Sequence, residues 1–321
     1  MAKLACLFPG QGSQSVGMGR DLEQNYPEAK ETFAEIDKVA GRSLSTLCFE
    51  GPEAELKRTI NTQPTILAAS LAAYAAYQKA GGPRPDFVAG HSLGEITALS
   101  VAGVLSIGDA VKLVEKRAAL MESCPQGAMT AVLGLAPEVL EELCAQVGQA
   151  MAGEGATGTD GCVVVANFNT KDQLVISGNP DAVARAGALV KDKGGKAIPL
   201  PVGGAFHSPL MSSAAAEFAQ ALAACKFNDA QYAVVQNFDA LASRSADELK
   251  AKLSKQMESP VRWTATVEFL AAQGVDTVVE IGPGKVLTGL VKKIDRNIKF
   301  FNVTDSESLK ATLAALNTVS V

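Results

Sequence analysis

The sequence predicts an α/β protein with a mainly parallel sheet, interrupted by a smaller unit of ferredoxin-like order. Three observations carry this prediction. Strand-like and helix-like segments alternate through most of the 321 residues. Between Gly127 and Val202 the order changes to β-α-β-β-α-β, that of a ferredoxin-like unit. The composition, 47% hydrophobic and 20% charged, supplies enough apolar surface for one large domain or two modest ones.

Lys3 to Phe8 reads as a buried first strand, closed by Pro9-Gly10-Gln11-Gly12. A helix is expected over Glu28 to Ala40, where Phe33, Ile36 and Val39 share a face. Another is expected from Pro64, as a first-turn proline, to a Gly81-Gly82 stop. Pro85 to Ala89 is a short strand and Leu93 to Leu105 a helix. In the inserted unit the strands are Met129 to Leu135, Cys162 to Phe168, Gln173 to Ser177 and Lys196 to Leu200. Its helices are Pro137 to Val147 and Asp181 to Lys193, and Gly153 to Gly161 is a loop. The large domain then resumes with a helix over Ser212 to Ala224, a strand near Tyr232 to Asn237 and a helix near Asp247 to Met257. The strand Thr277 to Ile281, the turn Gly282-Pro283-Gly284, the helix Lys285 to Ile294, the strand Lys299 to Val303 and a helix from Ser306 complete the pattern. The expected division is thus residues 1–126 with 203–321 as the large domain and 127–202 as the insertion.

Lys and Arg number 29 against 34 Asp and Glu, a net charge of -5 that offers no electrostatic footprint for nucleic acid. The six cysteines lack a C-x-x-C pair, and only two histidines are present, so no zinc-type cluster is expected. The cysteines read as small buried hydrophobes in a reducing compartment. The first apolar segment meets Pro9 after one strand's length, too soon for a signal sequence, and the run Ile66 to Ala76 is too short to span a membrane. A cytoplasmic protein with no membrane partner is expected.

Gly90-His91-Ser92-Leu93-Gly94 fits G-x-S-x-G, a strained strand-to-helix turn that exposes a serine hydroxyl. Asp86 to Gly90 supplies the strand and Gly94 to Leu105 the helix, whose N-terminus aims N–H groups at any oxyanion formed beside Ser92. A serine needs a base, and apart from His91 within the turn the chain offers only His207, in the loop Gly203-Gly-Ala-Phe-His-Ser-Pro209. Chain order admits Asp160, Asp172, Asp181 or Asp192 as the acid of a triad, yet all four fall in the insertion; a backbone carbonyl could orient the imidazole instead. Phe8-Pro-Gly-Gln-Gly12 resembles a dinucleotide fingerprint only superficially, since the third glycine would be Ser15. It is either a plain turn or a loop of backbone donors.

Five motifs in order, Phe8-Pro-Gly-Gln-Gly-Ser-Gln14, Gly90-His-Ser-Leu-Gly-Glu95, Gly204-Ala-Phe-His-Ser208, Pro260-Val-Arg-Trp263 and Glu280-Ile-Gly-Pro-Gly284, resemble the malonyl-CoA:acyl carrier protein transacylase family nearly end to end. The resemblance implies an α/β-hydrolase-like large domain with an inserted ferredoxin-like small domain. It implies Ser92 as nucleophile, His207 as general base and acid, and the amides of Gln11 and Leu93 as the oxyanion hole. The main-chain carbonyl at Gln256 would hold the histidine. Read alone, Arg117 is a solvated helix charge; the resemblance makes it the partner of a malonyl carboxylate. Phe206 would crowd an α-methyl branch, and Asn167 would help lock the site. Gly203 departs from the pattern, relatives often carrying Ser there. Malonyl-CoA and acyl carrier protein are the implied partners, with no metal or redox cofactor. Lys285, Lys292, Lys293, Arg296 and Lys299 are candidate contacts for an acidic carrier protein. A serine hydrolase or thioesterase is the competing reading.

Overall fold

A computed structural model describes residues 3–124 and 126–319. Its strands are β1 Lys3–Phe8, β2 Phe87–Gly90, β3 Ala128–Leu133, β4 Val163–Thr170, β5 Gln173–Gly178, β6 Lys196–Pro199, β7 Ala233–Val235, β8 Ala242–Ser243, β9 Val275–Ile281 and β10 Lys299–Val303. They form a six-stranded sheet of order β10-β9-β1-β2-β7-β8 and a four-stranded sheet of order β4-β5-β3-β6. In the larger sheet every pairing is parallel except β7 with β8. The smaller sheet is antiparallel, with the helices Pro137–Gly153 and Pro180–Asp192 as its crossovers, and its strand order is that of a ferredoxin-like unit.

Strand β1 shows why the larger sheet is central. Leu4, Cys6 and Phe8 join the apolar cluster on one face, and Ala5 and Leu7 the cluster on the other. Alternate side chains of one strand bury on opposite faces, so a strand apolar throughout must lie between two layers of helices. The helix Thr59–Lys79 covers the first face and is buried nearly all round. Its many alanines let neighbouring helices approach closely without leaving a solvated stripe. Trp263, Val267 and Leu290, from the helices Trp263–Ala272 and Val286–Ile294, cover the second face.

Helix limits correct the sequence expectation at several points. Pro64 lies inside the helix Thr59–Lys79 rather than in its first turn. The Ile60 carbonyl, which a proline cannot bond, accepts instead from Arg42 Nη2 at 3.1 Å, and this replacement lets the helix begin earlier. The elbow helix is Gly94–Val101 and ends before Gly103, whose φ of 74° breaks the helical path. The helix from Pro137 runs on to Gly153, past the expected Val147. Among the elements the sequence did not suggest are the helices Arg20–Asn25, Leu44–Glu50 and Trp263–Ala272.

Two chain crossings connect the sheets. Gln126 bridges Gly204, and the Gly127 N–H donates to the Gly203 carbonyl at 3.0 Å, so the connections on either side of the smaller sheet run together. Val261 pairs with Asn167 of β4, its N–H donating to the Ala166 carbonyl at 2.8 Å. Pro260-Val-Arg-Trp263 is thus the seam that brings β4 to the nucleophile's side of the larger sheet.

Candidate active site

Ser92 lies between β2 and the helix Gly94–Val101 with φ of 51°, a left-handed conformation unusual for a residue bearing a side chain. The flanking glycines make the turn possible by what they lack. A Cβ on Gly90 would fall 1.9 Å from the Gly94 carbonyl carbon, and one on Gly94 would fall 2.0 Å from the Phe8 carbonyl oxygen. Gly10 also packs closely on His91, its absent Cβ being 2.4 Å from the His91 carbonyl oxygen. The loop after β1 is thereby pressed onto the elbow, and Gln11 lines the same cavity as Ser92. Neither the Gln11 nor the Leu93 N–H has a hydrogen-bond partner among the described residues, so both remain available to an oxyanion.

His207, also left-handed at φ 59°, approaches from the far connection of the smaller sheet. Ser92 Oγ and His207 Nε2 are 2.7 Å apart. His207 Nδ1 lies 3.0 Å from the Gln256 carbonyl and 3.1 Å from that of Ser259. Carbonyls only accept, so Nδ1 carries the proton and Nε2 is free to accept from the serine. Asp160, Asp172, Asp181 and Asp192 do not contact the imidazole; Asp172 accepts from Thr170 Oγ1 at 2.6 Å instead. The acid of a conventional triad is replaced by two main-chain oxygens. His207 is only 3% exposed, and burial, with the nearby Arg117 charge, lowers its pKa from the usual histidine value to about 3. The imidazole is therefore neutral and ready to take a proton.

Arg117 overturns its reading as a solvated charge. It is 1% exposed, on the helix Ile107–Glu122, with Nη2 donating to Ser92 Oγ at 3.0 Å and to Gln256 Oε1 at 3.0 Å, and Nη1 donating to Gln63 Oε1 at 2.7 Å. Its Nε has no partner, and it makes no salt bridge among the described residues. Burial pulls its pKa down to about 10, partly offset by the Glu95 carboxylate, so it remains a cation near neutral pH. A buried guanidinium surrounded by neutral amides and a hydroxyl keeps a positive charge that no carboxylate in contact offsets among the described residues.

The cavity beside Ser92 holds about 190 Å³ and is lined by Met121, Met129, Val175, Leu200, Val202 and Phe206 as well as by Gln11, His91, Asn167, Asn169 and His207. Phe206 forms part of its wall, and Asn167, 6% exposed, faces it from β4. Asn169 Oδ1 lies 2.8 Å from His91 Nε2, and the second histidine lines the cavity while His207 is the one in contact with Ser92 Oγ. A Cβ on Gly203 would meet nothing within 4 Å, so a serine would fit there without a clash.

Several contacts have no counterpart in the sequence argument. Gln256 contributes its side chain as well as its carbonyl, Nε2 donating to the Ser92 carbonyl at 2.8 Å. Gln63 and Asn237 carry no chemistry-bearing pattern and come from remote segments. Glu95 did leave a signal, as the one charged residue of an otherwise uncharged helix, and it is fully buried.

A strained serine, a neutral histidine, two free amides and an internal arginine on a mainly parallel α/β sheet define an acyl-transfer enzyme with a serine nucleophile. The model of the acyl transferase domain family matches residues 6–310. The chain belongs to this family. It is 44% identical to the malonyl CoA-acyl carrier protein transacylase of Bacillus subtilis over 98% of both chains. It is 43% identical to that of Escherichia coli K12, over 98% of this chain and 99% of the other. Among solved structures it superposes on an acyl carrier protein S-malonyltransferase from Vibrio cholerae with a TM-score of 0.91, 44% identity and coverage of 97% and 100%. A malonyl-transacylase in complex with a type II PKS acyl-carrier protein gives a TM-score of 0.91, 42% identity and coverage of 98% and 100%.

Proposed function

We propose that this enzyme transfers a malonyl group from malonyl-CoA to the pantetheine thiol of acyl carrier protein, supplying the extender unit for fatty-acid synthesis. The observation that carries this reading is the buried Arg117 guanidinium, without an ion-pair partner, bonded to the hydroxyl of Ser92. A dicarboxylic acyl group offers a free carboxylate at that position; an acetyl group does not. The names of the relatives point to the same substrate.

The reaction runs in two halves. Ser92 Oγ attacks the thioester carbonyl while His207 Nε2 takes its proton, and the resulting oxyanion is bound by the Gln11 and Leu93 amides. The C–S bond breaks, the CoA thiolate leaves with the proton from His207, and malonyl-Ser92 remains. The carrier thiol then gives its proton to His207 and attacks the ester, and Ser92 recovers the proton. Gln256 holds the imidazole, Arg117 holds the malonyl carboxylate, and Phe206 and Asn167 border the acyl chain. One thioester replaces another, so no metal or redox cofactor is needed.

Residues 1–126 and 203–321 act as the catalytic domain and 127–202 as the inserted subdomain. The paired connections at Gly127 and Gly203 support this division. Among the described residues no helix is long and apolar enough to cross a membrane, and we place the reaction in the cytoplasm. Lys285, Lys292, Lys293, Arg296 and Lys299 are exposed, and we assign them as candidate contacts for an acidic carrier protein. The test is mass spectrometry after mixing with malonyl-CoA. A malonyl adduct on Ser92, absent from Ser92→Ala and discharged by carrier thiol, supports the proposal. No adduct on the native chain would reject it, and rapid loss of the adduct to water alone would favour a thioesterase.

A further inference from the structure

Asn237 takes no part in the proton transfers between Ser92 and His207, yet it is bonded to the nucleophile's backbone from both sides. Strands β2 and β7 pair in parallel up to Ala89 opposite Val235. In a parallel ladder, one residue donates to the carbonyl before its partner and accepts from the N–H after it. Beyond Val235 the side chain of Asn237 makes this pair of bonds around His91. Its Nδ2 donates to the Gly90 carbonyl at 2.7 Å, and its Oδ1 accepts from the Ser92 N–H at 2.7 Å. A carboxamide thus stands in for a peptide unit where Ser92 leaves the strand at φ 51°.

The carboxamide is itself held. Asn237 is fully buried, its N–H donates to Glu95 Oε2 at 2.7 Å, and its carbonyl accepts from the Arg262 N–H at 3.2 Å. Gln236 Nε2 donates to the other Glu95 oxygen at 3.1 Å and to the Leu249 carbonyl at 3.0 Å. Glu95 sits one turn beyond Ser92 and makes no salt bridge among the described residues. Its carboxylate ties the end of β7 to the elbow helix, and Asn237 spans the gap between them. A buried acid with no cation in contact is costly unless its hydrogen bonds hold something in place.

We infer that Asn237 is a positioning residue for Ser92: braced by Glu95, its carboxamide holds the elbow in the left-handed turn that aims Oγ at His207 and frees the Leu93 amide. The inference rests on Ser92 being the nucleophile of the proposed reaction. A group that sets geometry alone affects turnover far more than affinity, since a misplacement of about 1 Å costs on the order of a hundredfold.

The experiment compares Asn237→Ala and Asn237→Asp in the full chain. The readouts are malonyl-transfer kcat and KM, the rate of Ser92 labelling by a fluorophosphonate, and thermal melting, from about pH 6 to about pH 9. Asn237→Ala is expected to lower kcat and labelling about 10- to 100-fold while KM moves less than about threefold. Asn237→Asp keeps the acceptor for the Ser92 N–H. When protonated, it also donates to the Gly90 carbonyl. Burial beside Glu95 raises the pKa of such an acid. Its activity should therefore approach the native value at low pH and fall towards that of Asn237→Ala as pH rises. A merely stabilising asparagine would lower the melting temperature of both variants without this pH-dependent rescue. Native-like kcat and labelling in Asn237→Ala, or an Asn237→Asp profile that tracks Asn237→Ala at every pH, would overturn the inference. If Asn237→Ala does not fold, the Asn237→Asp profile decides alone, a flat profile overturning it. Fluorophosphonate labelling needs no malonyl-CoA. A native chain that labels but transfers no malonyl would refute the proposed substrate and leave the positioning result intact.

Discussion

Replacing Arg117 tests the link between burial and substrate choice. Arg117→Ala removes a 1% exposed guanidinium that donates to Ser92, Gln256 and Gln63. One charge-assisted hydrogen bond to a substrate carboxylate contributes about 1.5 to 3 kcal/mol, or roughly 10- to 100-fold in kcat/KM. Acetyl-CoA lacks the carboxylate, so its kcat/KM should change much less, and the malonyl-to-acetyl ratio should fall by about that factor. Arg117→Lys, which keeps the charge but not the planar fork, should give an intermediate ratio. The cation also depresses the His207 pKa. Its removal favours the imidazolium, so the acid limb of the kcat/KM profile for malonyl-CoA should move to higher pH in Arg117→Ala and stay in place in Arg117→Lys. Initial rates with both thioesters, across pH, measure all of this. A malonyl-to-acetyl ratio equal to that of the native enzyme in Arg117→Ala would refute the carboxylate reading.

Three further outcomes are expected. Because burial holds His207 neutral down to about pH 3, kcat/KM should show no loss at the ordinary histidine pKa. The unfolded chain binds that proton at the ordinary value and the folded chain does not, so this site's contribution to stability is lost as pH falls from about 6.5, measurable by denaturant titration. Phe206→Ala enlarges a cavity of about 190 Å³ and should improve methylmalonyl-CoA relative to malonyl-CoA by about 1 to 3 kcal/mol in competition assays; an unchanged ratio would remove Phe206 from selectivity. Lys292→Glu with Lys293→Glu should raise the carrier-protein KM severalfold, more at low salt, and leave the KM for malonyl-CoA alone.

Much of the elbow was legible because it is local. Glycine spacing, the strand before Ser92 and the helix after it lie within a few residues, and each glycine answers to one close approach. His207 was legible by scarcity, there being only two histidines. Pro64 misled because the group that compensates it, Arg42, lies elsewhere in the chain. Arg117 looked like a surface charge by residue type, although its spacing from Leu113, Val114, Leu120 and Met121 sets it on the apolar face of its helix.

The order of elements, the elbow at Ser92 and the choice of His207 as its partner follow from residue type and near-neighbour spacing, the scale on which steric rules and turn chemistry act. Tertiary structure alone decided what surrounds them. Two carbonyls 49 and 52 residues from His207 replace an acid. Gln63, 54 residues from Arg117, takes one arm of the guanidinium, and Asn237, 145 residues from Ser92, completes the ladder at the elbow. Side-chain and main-chain amides are common everywhere in a chain and acquire meaning only from where folding places them. Burial then set an ordinary arginine against the Ser92 hydroxyl, away from solvent, and keeps an ordinary histidine neutral.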